Sequence, residues 1–375
     1  MKTFSLRLAA ALLVAMLPAL AACSAPGTAR PTSTMSLKPL PKIIVIAHRG
    51  ASAYRPEHTI GSYTLAIEYG ADVIEPDLVA TQDGVLVARH ENEISGTTDV
   101  AEHPEFAARK TTKTIDGVVL SGWFTEDFTL AELRTLRARE RIADIRPGNT
   151  RYNGVWRIPT FQEVIDLAKA KSIETGRTIA IYPETKHPSY FQGIGLPLEQ
   201  RLLDQLAANG YAGKNAPVFI QSFEVANLKA MRAKTDLPII QLMGAPPEQP
   251  YDAVAAGSTF GYADMITPAG LKEVARYATG IGPDKNMLIP RDADGRLLAP
   301  TALIADAHAA GLLVHPYTFR PENHFLPTDF RSQADKTARG DAFGEITRFL
   351  RAGIDGLFSD DAFVARAAVD AFLQP

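Results

Sequence analysis

With 375 residues, 46 % of them hydrophobic and 22 % charged, the chain has the make-up of one large globular domain, or of one domain carrying an insertion. Its 39 basic and 42 acidic side chains leave a formal charge of −3, which argues against nucleic acid as a partner. Cys23 is the only cysteine, so an intrachain disulfide and a cysteine-built metal site are excluded.

The N-terminus opens with Lys2 and Arg7, then the apolar stretch LAAALLVAMLPAL, then Leu20-Ala21-Ala22-Cys23. A basic head, a short apolar stretch and small residues at the exit predict a secretory signal over residues 1–22. The apolar stretch falls short of the roughly 20 residues a spanning helix needs. Leu20–Cys23 resembles the bacterial lipobox. Lipidation of Cys23 would anchor the mature chain to a membrane as a periplasmic or cell-surface lipoprotein; plain secretion with an incidental cysteine is the alternative. Residues 23–41, rich in Pro, Ser, Thr and Ala, read as the lipid-bearing cysteine and a flexible tether.

From residue 42 to 375, short β-rich apolar runs alternate with helical patterns. The runs fall at 43–48, 72–80, 178–184, 217–223, 238–244, 280–284, 312–319 and 355–360. Helical periodicity follows the first run (IGSYTLAIEYG), precedes the third (TFQEVIDLAKAKSIETG), and recurs between later runs up to AFVARAAVDAFL at the end. Strands alternating with helices imply parallel pairing, and their number predicts an α/β fold, a (β/α)8 TIM barrel. A Rossmann sheet is disfavoured because no GxGxxG follows the first run. The polar, irregular stretch from about 91 to 157, with Trp123 and one helical piece, FTLAELRTLRARE, reads as a rim insertion after the second strand that partly covers the site. Asp83-Gly84 is a turn signal, so VATQDGVLVARH is expected to fold back as a hairpin or extended rim.

Polar residues inside the runs gather near their C-terminal ends. They are His48 and Arg49, Glu75 and Asp77, Glu184 followed by Lys186, Gln221, His315 and Tyr317, and Asp360. In a parallel barrel those ends converge on one face, where the βα loops build the active site. Glu75 and Asp77, two apart, point to one side of a strand. With Glu184 they make three carboxylates that would repel unless a cation lies between them, and oxygen donors without cysteine favour Ca2+ or Mg2+. Ordinary ion pairs with Arg49 or Lys186 are the competing reading. His48 and His90, at two strand ends beside these acids, suit proton transfer near neutral pH. His187, His308 and His324 lack such placement, His308 falling on a helix and the other two in loops.

Together these residues resemble the glycerophosphodiester phosphodiesterase family, especially its periplasmic branch. The resemblance is carried by His48-Arg49-Gly50 with Pro56-Glu57-His58-Thr59, Gly70-Ala71-Asp72 with Glu75-Pro76-Asp77, Thr81-Gln82-Asp83-Gly84 with His90, and Tyr182-Pro183-Glu184 with Lys186. Gly280–Asp284, Val314–Thr318 and Gly356–Asp360 extend it over most of the domain. The resemblance implies a barrel that hydrolyses glycerophosphodiesters to sn-glycerol 3-phosphate and an alcohol. One divalent cation, Ca2+ ahead of Mg2+, would be held by Glu75, Asp77 and Glu184. His48 and His90 would be acid and base, and Arg49 and Lys186 would contact phosphoryl oxygens. Gln221 and Tyr317 would line the substrate site, with Glu57 and His315 supporting it from behind. The nucleophile would be water or the substrate's own glycerol hydroxyl.

Two positions depart from the family pattern: Glu91 follows His90 where relatives usually have aspartate, and Pro76 interrupts the strand between two carboxylates. The runner-up is a lysophospholipase D- or phospholipase C-like hydrolase. A surface lipoprotein that only binds on the same scaffold would be expected to have lost a histidine or a carboxylate of the set, and none is missing. No protein partner is predicted.

Overall fold

The computed structural model describes residues 37–374. The expected signal, Cys23 and the tether up to residue 36 lie outside them. In chain order the strands are β1 (Ile44–His48), β2 (Val73–Glu75), β3 (Asp77–Ala80), β4 (Leu86–Ala88), β5 (Thr111–Ile115), β6 (Val118–Gly122), β7 (Ala180–Ile181), β8 (Glu184–Thr185), β9 (Ile220–Ser222), β10 (Ile239–Met243), β11 (Gly280–Pro283), β12 (Leu313–Val314) and β13 (Gly356–Ser359).

All eight expected runs pair in parallel, and they form a TIM barrel. One set of neighbours runs β13-β1-β2-β7, the other β12-β11-β10-β9-β8-β3. Two seams join them. Ile181 bridges Val218 on one side, and Phe319 bridges Ser359 on the other, with the Phe319 N–H donating to the Phe358 carbonyl at 2.8 Å. The second and third runs are each cut by a proline, Pro76 between β2 and β3 and Pro183 between β7 and β8. Proline brings no N–H to a ladder. The cuts lie side by side, so pairing resumes beyond them: the Glu184 N–H donates to the Pro76 carbonyl at 3.0 Å, and Asp77 stands opposite Glu184.

Side chains alternate across each strand, so every second residue faces the lumen. Ile44, Ile46, Val73, Ala180, Tyr182, Ile240 and Phe358 fill that interior, with Leu40 and Phe219 packed on them. The intervening Val45, Ala47, Ile74, Ile181, Ile239 and Leu357 pack outward into the larger core under the helices. Domain contacts begin ahead of residue 42. Lys38 pairs with Arg177, and Leu40 is drawn to the lumen because its apolar side chain plugs the barrel floor. Among the described residues no helix is long and apolar enough to cross a membrane.

The first helix, α1 (Ile60–Glu68), starts where Thr59 accepts a hydrogen bond from the Ser62 N–H, which fixes the exit of the loop carrying Glu57 and His58. The hairpin expected around Asp83-Gly84 is present as antiparallel β3 and β4. Segment 91–157 is more regular than its composition suggests. It contains a second antiparallel hairpin, β5 with β6, turning on Asp116-Gly117. Its expected helix shrinks to Leu130–Leu133, opened by a Thr129/Glu132 capping box, because the chain beyond it pairs in extended form, Ala138 with Thr98.

Candidate active site

The period of two that fills the barrel also builds the site. Continuing Ile44 and Ile46 inward gives His48; Val73 gives Glu75; Ala180 and Tyr182 give Glu184; Phe219 gives Gln221; Phe358 gives Asp360. Parallel register sets these at one height, with His48 beside Glu75 and Glu184 beside Gln221. His48, Arg49, Glu75, His90, Glu184, Gln221 and Tyr317 line one cavity of about 120 Å³ at the C-terminal mouth.

Glu75, Asp77 and Glu184 are all buried and offer carboxylate oxygens within 4.8 Å of one another. Burial, with Asp77 and Glu184 close by, drives the Glu75 carboxyl well above the usual range. Burial also raises Glu184 to about 8, against the pull of Lys186. Such a cluster calls for positive charge. Asp77 Oδ1 and Gln221 Oε1 are buried with no hydrogen-bond partner, although the opposite atoms of both groups are engaged. Three carboxylates and an amide oxygen, two of them with unused acceptors, fit a hard divalent cation. The competing ion pairs do exist, since Lys186 Nζ lies 3.0 Å from Glu184 and Arg49 Nε 3.5 Å from Asp77, yet they leave those two acceptors unanswered.

The two imidazoles are held alike. His48 Nδ1 lies 2.6 Å from Asp360 Oδ1, and its Nε2 accepts from Arg49 Nε at 3.2 Å. His90 Nδ1 lies 2.7 Å from Glu91 Oε1, and its Nε2 is 3.4 Å from Lys186 Nζ. A carboxylate on Nδ1 fixes the Nδ1–H tautomer and leaves the Nε2 lone pair toward the cavity. Burial, then the Arg49 charge, lowers His48 to about 4 and His90 to about 3, so both rings are neutral at rest. Glu57 anchors Arg49 Nη1 at 3.2 Å and Arg141 Nε at 2.9 Å. Against the cost of burial, those two guanidiniums hold its carboxyl well below the usual range.

His315 is a lumen residue beneath the cavity, its Nδ1 2.9 Å from the Tyr182 hydroxyl. Tyr317 walls the cavity with its ring, but its hydroxyl donates to the Met243 carbonyl at 2.9 Å rather than standing free. Sequence reasoning passed over several contributors. Asp360 was visible only as a polar strand end. Arg146 and Arg89 carried no positional signal, and His58 stood out only as part of the Pro56–Thr59 motif. His58 bridges Asp77 Oδ2 (2.9 Å) and the Tyr63 hydroxyl (2.7 Å), and Arg89 grips the Glu57 and His58 carbonyls. His187, expected to be a loop residue without placement, sits at the rim with its Nε2 2.9 Å from Glu91 and its Nδ1 2.6 Å from Asp116. His308 lies on its helix against Asp355, away from the cavity.

Fold and cavity together define the class: a TIM barrel with a pocket of buried carboxylates, imidazoles and a guanidinium at its C-terminal mouth. The comparisons narrow it. The profile of the glycerophosphoryl diester phosphodiesterase family matches residues 48–363. Glycerophosphodiester phosphodiesterase GDPD6 of Arabidopsis thaliana is 37 % identical over 84 % of this chain and 82 % of its own length. The Haemophilus influenzae glycerophosphodiester phosphodiesterase is 31 % identical over 84 % of this chain and 89 % of its own. An Oleispira antarctica phosphodiesterase, solved with the product sn-glycerol-3-phosphate, shares the fold with a TM-score of 0.55 at 20 % identity, covering 88 % of this chain and 97 % of its own. The chain belongs to the glycerophosphoryl diester phosphodiesterase family and is an enzyme of that kind, a phosphoric diester hydrolase.

Proposed function

We propose that the chain hydrolyses glycerophosphodiesters to sn-glycerol 3-phosphate and an alcohol, using one divalent cation on Glu75, Asp77 and Glu184 and the imidazoles of His48 and His90 as acid and base. The carrying observation is the single cavity that both rings share with Arg49, Glu75 and Glu184. When bound, the cation would supply neutralisation of charge at the phosphoryl oxygens. Arg49 and Lys186 would add donors to those oxygens from beside the carboxylates, already oriented by Glu57 and Glu184. One Nε2 takes the proton of the attacking hydroxyl; the other ring first takes up a proton from solvent at its Nε2, beside the bound anion, and delivers it to the departing alkoxide, each role being worth about 10²–10⁴ in rate. The Tyr317 ring gives the glycerol carbons an apolar wall. Ca2+ is favoured over Mg2+ because an irregular oxygen set of unequal reach suits a larger, less demanding ion.

The N-terminal pattern supports export and lipidation at Cys23, with the domain tethered to a membrane on its periplasmic or outer face. Labelled palmitate incorporated by the wild type and not by Cys23→Ser is the expected result; equal labelling overturns it.

The catalytic reading is tested by glycerol 3-phosphate release from glycerophosphocholine. Chelation should abolish turnover and Ca2+ restore it in the wild type, while Glu184→Gln stays inactive and His48→Gln and His90→Gln each lose about 10²-fold or more. Turnover that ignores chelator removes the cation from the scheme. Hydrolysis of lysophosphatidylcholine alone would replace the substrate class.

A further inference from the structure

The Glu91 carboxylate serves two imidazoles at once. Oε1 meets His90 Nδ1 at 2.7 Å, and Oε2 meets His187 Nε2 at 2.9 Å. The other nitrogen of His187, Nδ1, lies 2.6 Å from Asp116 Oδ2. Ionised carboxylates only accept, so a ring with one on each nitrogen must carry both protons and its positive charge. Asp116 and Gly117, with φ of 48° and 81°, are the turn residues of the β5–β6 hairpin. That pair of positive φ values is the I′ geometry Asp-Gly favours. His187 itself is left-handed, φ 48° and ψ 46°, and precedes Pro188. An L-residue holds that conformation only where its surroundings fix it, and such outliers collect at functional sites.

We propose that His187 is a positioning residue for His90, acting through Glu91, and that the β5–β6 hairpin is the latch that anchors it by way of Asp116. The imidazolium binds one oxygen of Glu91 and so aims the other at His90 Nδ1. That locks the tautomer and the ring plane, leaving Nε2 toward the cavity. Glutamate has the reach to span both rings. Aspartate, one methylene shorter, keeps the bond to its neighbour and gives up the bridge. The inference rests on the reading of His90 as an acid/base residue.

The experiment measures kcat and KM for glycerophosphocholine with the full chain as His90→Gln, His187→Ala, Asp116→Asn and the His187→Ala/Asp116→Asn double variant. Folding of each is checked by far-UV circular dichroism. His187→Ala should lose about 10–100-fold in kcat, as expected for a misplaced catalytic group, with KM changed by less than about twofold. Added imidazole should restore part of that loss to His187→Ala. Asp116→Asn should show a smaller loss in kcat, and the double variant should be no worse than His187→Ala, because both act through one chain of contacts. Wild-type kcat in His187→Ala, a loss that imidazole leaves untouched, or additive losses in the double variant would overturn the inference. An active His90→Gln is a different failure, since it removes the acid/base reading itself.

Discussion

Each imidazole of the site is backed by a carboxylate, and each carboxylate by a cation. His48 leans on Asp360, which pairs with Arg146 at 2.5 Å; His90 leans on Glu91, which pairs with His187. Without those cations the acids would pull the rings toward permanent protonation, and a ring already protonated cannot accept. His187 carries a measurable consequence. Against burial, its bonds to Asp116 and Glu91 push it up to about 9 from 6.5, with the Lys186 charge opposing them. The folded state therefore binds this proton more tightly than the unfolded chain. The stabilisation is complete below pH 6.5 and is lost as pH rises through about 9. Glu91 has 39 % of its side chain exposed, so about 1–2 kcal/mol survives screening. Urea unfolding of the wild type and His187→Gln should show a stability gap larger at pH 6 than at pH 10 by that amount. A gap that does not move with pH would show His187 to be neutral in the fold. Strand-end logic found His48, Glu184 and His90, which close apolar runs, and the period of two inside one run found Glu75 and Asp77. It missed His187 and Arg146, which lie on loops with no period, and whose partners meet them only in three dimensions.

At the scale of elements, the barrel was legible from its eight apolar runs, and so was the disturbance at Pro76. What could not be read was that Pro183 cuts the neighbouring strand at the same height, so the two interruptions match and the ladder resumes. The Asp-Gly signal that marked the β3–β4 hairpin recurs at Asp116-Gly117. There it went unused, because the flanking Thr and Val residues are mostly exposed and the segment lacked an apolar face. The turn after β1 is equally demanding. Gly50 has φ +90°, and a Cβ there would lie 2.4 Å from Ser62 Oγ and 2.7 Å from the Ser62 carbonyl carbon. Backbone cannot swing aside as a side-chain tip can, so α1 or the turn must move, and Arg49 moves with it. Gly154 supplies the control. It too is left-handed, φ +82°, but an added methyl meets nothing within 4 Å. Gly154→Ala should cost only the backbone strain, about 1–2 kcal/mol, while Gly50→Ala should cost about 2 kcal/mol more and lower kcat. Equal unfolding midpoints for the two variants would mean the turn has slack that the distances deny.

On the scale of the molecule, segment 91–157 braces the site from behind, since none of its residues lines the cavity. It sends Arg141 to Glu57, Asn149 to the Ser52 carbonyl, Asp116 to His187, and Arg146 into the gap between β13 and the loop after β12. Arg146 is buried and makes four bonds there: Nε to Glu322 at 2.7 Å, Nη2 to Glu322 at 3.2 Å and to Asp360 at 2.5 Å, and Nη1 to the Ser52 carbonyl at 2.9 Å. Arg146→Met would keep most of the volume and strand two buried carboxylates. Arg320 remains within 3.2 Å of Asp360, so Glu322 suffers more. Breaking a buried pair from one side costs about 3–5 kcal/mol. Adding Glu322→Gln should recover a good part of that stability, since it removes one orphaned charge. It should not recover activity, because Asp360 would still lack the guanidinium that aims it at His48; kcat should stay about 10²-fold down in both variants. Thermal unfolding and glycerophosphocholine turnover, measured on the same preparations, separate the two effects. If activity returned together with stability in the double variant, Arg146 would be holding the fold together and nothing more, and the long segment's hold on the His48 ring would have to be given up.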